Sequence, residues 1–368
     1  MKFLILTCST GGGHHTAAAA ISEYFTVQGH TCVTMDCLDF LSPAKAKIIS
    51  EGHVFLYRNA PKLFGAGYRF EEKHAPKFIM KQCEACADDF YQAVQETQCD
   101  AVIHVHIFCA MIMTAAKQRY RLTQPGFYVA TDYGPHPGTE LTDMDAYFIP
   151  HRDLLPEFVR TGIPAEKLVP AGIPVRQVFC CTADKQAARQ QLGFSVSGKL
   201  ALLTCGSMGA GPMAELAARL DRDLPADASL VVVCGTNEKL KQTLDSAGFS
   251  DRIHIRGFVS NMAPYLDSAD LILTKAGGLA TTEALMKRLP LVYINAVPGC
   301  ETRNLEFMVR NRYAVTASST EELARLVCSL LQDDQALTEW STRLADGFPD
   351  IAVEHMYRCI MQKHLHML

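Results

Sequence analysis

A chain of 368 residues whose apolar runs alternate with helical segments predicts an α/β fold in two domains, each a parallel sheet covered by helices. Three stretches carry that expectation. Lys2–Cys8 reads as a buried strand, Ser9–His15 as a glycine-rich loop, Thr16–Gln28 as a helix and Thr31–Met35 as a second strand, together a βαβ opening. Leu200–Thr204 starts a second such series, with Cys205–Gly211 as its loop. Leu271–Leu285, reading LILTKAGGLATTEAL, gives a short buried strand and then a turn, Lys275-Ala276-Gly277-Gly278, that only small residues allow. Thr281, Thr282 and Glu283 then open a helix that runs to about Arg288.

Composition narrows the function classes. Apolar content of 48% with 20% charged residues is ordinary for an α/β protein with sizeable cores. A net charge of −4 gives no whole-chain ground for nucleic-acid binding. The fourteen cysteines are scattered, several inside apolar runs (Cys8, Cys205, Cys234), as reduced thiols in a cytosolic protein would be. The opening MKFLILTCSTGGG has too short an apolar core for a signal peptide, and the longest apolar run, near Ile107–Ala116, is about half a membrane span. The expected location is cytoplasmic, with any membrane contact peripheral.

The N-terminal loop allows more than one reading. Gly11-x-Gly13 after a strand, with Asp36 further on, faintly spells a dinucleotide fingerprint. The third small residue falls on Thr16, however, and His14 and His15 occupy the pyrophosphate approach, which argues against a nicotinamide enzyme. No Gly-Lys-[Ser/Thr] follows, so a P-loop is out. From Lys45 to Gln82 basic residues outnumber acidic ones and lie among Phe55, Tyr57, Phe64, Tyr68, Phe70 and Phe78. That mixture suits an interfacial segment, and equally two amphipathic helices covering a sheet edge.

Asp100–Phe108 reads as one strand with His104 and His106 on one face, and no third metal ligand is evident beside them. His106, near the strand's C-terminal end, is expected to line the site. Cys83-Glu84-Ala85-Cys86 is a lone CxxC without a second pair, which argues against zinc. Phe127–Thr131 is a strand leading to Asp132-Tyr133-Gly134-Pro135-His136, where Asp132 reads equally as a loop cap or a functional carboxylate. Asp143/Asp145 and Asp221/Asp223 spell the DxD of metal-dependent transferases, but an Asp-rich chain yields such spellings by chance.

Tyr147–Pro150 continues as a strand, Arg152–Thr161 as a helix and Val169–Val175 as an extended, Pro-bounded crossing between domains. Leu230–Cys234 and the run ending at Arg256-Gly257-Phe258-Val259 are further strands. Glu321–Gln332, Asp334–Leu344 and Ile351–His366 are closing helices, with the lone Trp340 a packing residue. At Gly277-Gly278, a strand feeding a tight turn and a helix start gathers free backbone N–H groups at the positive helix end, a place suited to a diphosphate. Glu283, about one turn in, could accept both hydroxyls of a ribose. By itself this stretch reads equally as an ordinary connection with glycines for tight packing.

The motif Lys275, Gly277, Gly278, Glu283, Ala284, followed by Pro298-Gly299-Cys300-Glu301, resembles the nucleotide-binding segment of the GT-B glycosyltransferases that include monogalactosyldiacylglycerol synthase and the processive diacylglycerol glucosyltransferases. Gly11-Gly12-Gly13-His14 is similar to that family's Gly-Asn-Gly-His. Asp132 with His136, and Gly172-Ile173-Pro174-Val175, fall where its later motifs do. Ala280 and Cys300 depart from the pattern, and Cys300 stands in the donor-sugar loop. The resemblance implies a GT-B fold: Rossmann-like domains at 1–172 and 173–345 facing a central cleft, and residues 346–368 as a C-terminal helix returning to the first domain by way of Gly347-Phe348-Pro349.

The resemblance also implies the chemistry, an inverting, metal-independent transfer of a hexose from a UDP-sugar to diacylglycerol or a glycosyl-diacylglycerol. His14 would be the general base and Asp132 its orienter or reserve. Gly206, Ser207, Gly257, Phe258, Val259, Lys275, Gly277, Gly278, Thr282 and Glu283 would hold UDP, and Glu301 and Asn304 the hexose. Gly12, Gly13, His106 and His136 would line the acceptor side. Residues 45–82 would meet an anionic membrane surface on the inner face of the cell membrane; no metal, other cofactor or nucleic acid is expected. The alternatives are a UDP-sugar transferase acting on another lipid or small aglycone, and a non-transferase enzyme or sensor with the same fold.

Overall fold

Two six-stranded parallel sheets frame the protein in the computed structural model, which describes residues 1–10, 12–59, 63, 65, 67, 76–348 and 351–367. The chain divides into one unit of Met1–Gln177, Val297–Arg303 and Asp350–Leu368, and a second of Val178–Ala296 and Asn304–Pro349. The α/β class with two parallel-sheet domains is therefore as the sequence predicts.

In the first unit the strands are β1 (Lys2–Thr7), β2 (Thr31–Asp36), β3 (Ala101–His104), β4 (Gly126–Val129), β5 (Ala146–Ile149) and β6 (Leu168–Pro170), in the order β2-β1-β3-β4-β5-β6. Phe3 to Leu6 and Ala101 to His104 are fully buried, as expected of central strands covered on both faces. The covering helices include Gly12–Val27 and Ile107–Tyr120; nine residues of the latter are buried, so it is a core helix rather than an amphipathic cover. The last helix, Ala352–Met367, belongs to this unit. Tyr357 packs its ring on Phe25 at 5.3 Å and shares a hydrogen bond with His30 at 3.1 Å, and Lys363 donates to the Asp145 carbonyl at 2.8 Å.

In the second unit β7 (Lys199–Thr204), β8 (Ala228–Val233), β9 (Ile253–Arg256), β10 (Leu271–Lys275), β11 (Leu291–Asn295) and β12 (Ala314–Thr316) run in the order β12-β11-β10-β7-β8-β9. Leu203, Leu216, Leu220, Leu230, Val232, Leu273 and Val327 fill one face of this sheet. Trp340 is buried and donates to the Tyr313 carbonyl at 3.0 Å, a packing role.

Four expectations need correction. The helix expected from Thr16 starts at Gly12, so Gly12 to His15 form its first turn and not part of a loop. The stretch from Asp100 is a strand only to His104; His106 caps a helix that starts at Ile107, because the buried first turns of that helix show no polar face to reveal their period. The helix after the Gly-Gly turn starts at Gly278 and ends at Met286, with Arg288 in the left-handed region at φ 55°, so Glu283 lies deeper than one turn. Arg152–Thr161 is a short 3₁₀ turn, Arg152–Leu154, leading into the helix Leu155–Arg160. Neither DxD spelling is an open metal site, since Asp145 and Asp143 bind Lys117 and Lys167 and Asp221 accepts from Ser250.

Across residues 45–82 the structure gives the helices Pro43–Asn59 and Pro76–Glu84, with Ile48, Phe55 and Leu63 exposed. Lys62, Phe64, Tyr68, Arg69, Phe70 and Lys73 lie outside the described residues, as do Gly11 and Pro349. Among the described residues no helix is long and apolar enough to cross a membrane.

His104 is fully buried beside Met113, and burial pushes its pKa down to about 3. The neutral ring is kept in the folded state while the unfolded chain takes up a proton below its ordinary pKa. Stability is therefore expected to fall by about 1.4 kcal/mol per pH unit from this residue as pH drops from the ordinary histidine value towards 3. Urea unfolding at pH 6 and pH 4 should show a smaller loss in His104→Leu than in the parent.

Candidate active site

In each unit the strand order reverses beside the first strand, and a doubly wound sheet opens its crevice at that reversal, above the strands' C-terminal ends. In the first unit the reversal lies between β1 and β3. Gly12, Gly13 and His14 form the first turn of the helix Gly12–Val27 that follows β1, and the short loop after β3 carries His106. Their rings meet edge to face with centroids 4.6 Å apart. His14 Nδ1 lies 3.0 Å from the Val105 carbonyl and 3.2 Å from Thr131 Oγ1 at the end of β4. A carbonyl only accepts, so Nδ1 carries the proton and Nε2 the lone pair.

His106 is nearly buried: its Nδ1 accepts from Phe108 N at 3.2 Å as the helix cap, and its Nε2 faces Thr10 Oγ1 at 3.4 Å. His136 is half-buried, bonds the Pro137 carbonyl at 2.8 Å and lies 6.2 Å from the His106 ring. Asp132 follows Thr131 directly, half-buried; burial, with the Asp132 charge added to it, pushes the Tyr128 phenol up. His14, His106, His136 and Asp132 thus collect at one end of this sheet. Sequence reasoning did not single out Thr131 or Thr10; their places at the C-terminal ends of strands were the available signal.

His15 turns away to Ser9 Oγ at 2.9 Å. Ser9 in turn donates to Asp36, whose other oxygen accepts from Leu38 N at 2.9 Å. The acid of the faint dinucleotide fingerprint is thereby committed to its own loop.

The second unit reverses between β7 and β10. The loop after β7 holds Gly206 at φ 66°, and a Cβ there would come 3.2 Å from Lys275 Cε, so the two predicted loops adjoin. Gly209 and Gly235 are required by contact, since a Cβ on either would lie 2.3 Å or less from a backbone oxygen of the next loop. Ser207 is exposed and its carbonyl accepts from Thr236 N at 2.8 Å.

Gly277 is the N-cap of the helix Gly278–Met286 and, having no side chain, gives the first-turn amides no capping oxygen of its own. Thr282 is buried and donates to the Gly278 carbonyl at 2.8 Å, fixing that first turn. Lys275 and Glu283 are half-buried on either side of the turn in sequence. Gly257, Phe258 and Val259 follow β9, with Phe258 a large exposed apolar ring.

Asn304 is fully buried and donates to the Ala276 carbonyl at 2.8 Å, which ties its helix to the turn after β10. Glu301 belongs to the first unit, where one oxygen accepts from Val297 N at 2.9 Å. The same segment is anchored by Arg303, which donates to the Pro135 carbonyl. Glu301 and Asn304 both shape the backbone of the Pro298–Glu301 loop and its helix. The Cys300 side chain lies outside what the structure describes.

Residues 14–175 match the family profile of monogalactosyldiacylglycerol (MGDG) synthase, and residues 200–352 match the glycosyltransferase family 28 C-terminal domain. A processive diacylglycerol beta-glucosyltransferase of Staphylococcus carnosus is 22% identical over 378 residues, covering 100% of this chain and 93% of the relative. MurG of Acinetobacter baumannii has a similar structure, with a TM-score of 0.65 at 18% identity, covering 98% of this chain and 99% of that one. S. aureus MnaA, solved with UDP, gives a TM-score of 0.64 at 14% identity over 100% of this chain and 98% of that one. At such identities the two structures speak for the fold alone.

Proposed function

Since the chain is a glycosyltransferase that joins a monogalactosyldiacylglycerol-synthase domain to a family 28 C-terminal domain, we propose that it moves a hexose from a UDP-sugar to diacylglycerol, or to a glycosyl-diacylglycerol, with inversion and without a metal ion. The observation that carries the proposal is the fixed tautomer of His14. With Nδ1 held by the Val105 carbonyl, Nε2 is the nitrogen able to take a proton from an acceptor hydroxyl as that oxygen attacks the anomeric carbon. Asp132, His106 and His136 are the acceptor-side residues in this reading.

The donor is assigned to the second unit. The diphosphate would lie on the first-turn amides at Gly277-Gly278 beside Lys275 and the Gly206-Ser207 loop, where the helix terminus and the ammonium stabilise charge on the departing UDP. The backbone of Gly257 and Val259, with the Phe258 ring, would take the uracil, and Glu283 the ribose hydroxyls. Glu301 and Asn304 would act on the hexose. Removing a carboxylate that accepts two hydroxyls costs about 1.5–3 kcal/mol, so Glu283→Ala is expected to weaken UDP binding by about 10–100-fold in calorimetry. Transfer at saturating donor should survive better than binding does.

The acceptor is a membrane lipid, so the protein would work peripherally on the inner face of the cell membrane. Exposed Ile48 and Phe55 on a helix that carries Lys45 and Lys47 support contact with an anionic surface. The deciding experiment offers UDP-glucose, UDP-galactose and UDP-N-acetylglucosamine to vesicles of phosphatidylglycerol and diacylglycerol, with a chelator present. Diacylglycerol heavier by one hexose is the expected product. Donor consumed with no lipid product, or product only after magnesium or manganese is restored, would overturn the proposal.

A further inference from the structure

Cysteines that are far apart in the chain gather beneath the His14 loop. Cys8 follows β1, Cys37 follows β2 and Cys109 lies in the first turn of the helix Ile107–Tyr120; all three are buried and unoxidised. Cys37 lies beside both Cys8 and Cys109, close enough for its thiol to feel each of theirs. The sulfurs of Cys8 and Cys37 and a carboxylate oxygen of Asp36 all lie within 4.8 Å of one another. Cys109 also donates to the Thr7 carbonyl at 3.3 Å, which keeps its sulfur against the end of β1.

We propose that Cys8, Cys37 and Asp36, with Cys109 as the fourth donor, form a binding site for a thiophilic d¹⁰ divalent cation of the zinc class. Zinc takes sulfur at about 2.3 Å and carboxylate oxygen at about 2.0–2.2 Å, so its tetrahedral donors stand about 3.5–3.8 Å apart. The three mutually close donors already fall inside the range that a small contraction converts to that geometry. Three sulfurs and one oxygen select a soft or borderline metal over magnesium or calcium, which want oxygen alone. Asp36 is itself oriented by hydrogen bonds from Ser9 and Leu38, the outer-shell support that metal-binding carboxylates use. The cation has no part in the transfer step; it would pin β1, β2 and the helix at Ile107 together under the glycine-rich loop.

Cobalt(II) is the probe, since thiolate ligands give it an intense near-ultraviolet charge-transfer band. The full-length protein, reduced and stripped of metal, should bind about one cobalt per chain with that band, and one equivalent of zinc should abolish it. X-ray absorption of the zinc form should count two or three sulfur neighbours. Cys37→Ser should lose the band and Cys109→Ser should bind at least about tenfold more weakly, whereas Cys181→Ser, at an exposed cysteine, should match the parent. A folded parent protein that shows no band with excess cobalt overturns the site, and so does a Cys37→Ser protein that keeps the full band. The parent titration decides the matter even if a variant fails to fold.

Discussion

His14→Ala is expected to lower hexose transfer by about 10²–10⁴-fold, the range for loss of a general base, while UDP affinity stays within about twofold of the parent. The two readouts separate because His14 sits on the first unit's strand ends and the donor is assigned to the second. In the proposed role the imidazole would pass a single proton. Its Nδ1 faces the Val105 carbonyl at 3.0 Å and Thr131 Oγ1 at 3.2 Å, which fixes both the ring plane and the tautomer. Thr131 is accordingly a positioning residue. Thr131→Val should reduce kcat by a smaller factor than His14→Ala and move the acidic limb of the kcat–pH profile, a change that loss of packing alone would not produce. Initial rates with radiolabelled donor and calorimetric UDP titrations measure both effects. A His14→Ala enzyme within tenfold of the parent would remove this residue from the base's role.

The second large effect is expected at Gly277. Its φ of −80° is ordinary backbone, and it occupies the N-cap of a helix that has no side-chain cap. Aspartate is among the best residues for that position, so Gly277→Asp should fold and keep its thermal midpoint or raise it. The same carboxylate would occupy the amides to which the diphosphate is assigned in the proposal and repel its charge. UDP affinity is therefore expected to drop by about 100-fold or more. Gly277→Ala, which adds no charge, should lose much less. A thermal-shift assay and a UDP titration on the two variants give the contrast; an aspartate variant that binds UDP as well as the alanine variant would empty the helix end of its role.

Much of this was legible in the sequence because the reporting residues are local. The strand-turn-helix patterns at Ser9–His15 and Lys275–Gly278 are contiguous, and Gly-rich turns between apolar runs identify themselves. What failed were boundaries and tertiary groupings. The run Asp100–Phe108 hid a strand end and a helix start because the strand and the first turns of the helix are buried, leaving no polar face there to set the period. Thr131 could not be tied to His14 without the sheet, which brings together residues 117 positions apart. The cysteines illustrate the same limit. Cys8, Cys37 and Cys109 look unrelated in order, and only the pairing of β1 with both β2 and β3 makes them neighbours.

The first unit is assembled from three separate pieces of chain, because Val297–Arg303 and Asp350–Leu368 rejoin it after the second unit has begun. Its ribosomal synthesis therefore cannot be completed early. The helix Gly12–Val27 and the ring of Phe25 wait for Tyr357, some 330 residues downstream, before their outer surface is covered. A nascent polypeptide released after Gln177 would carry a six-stranded sheet with a sticky flank, a species prone to self-association or chaperone capture. Cutting this enzyme into two expressible halves would accordingly require supplying the tail to the front piece in trans.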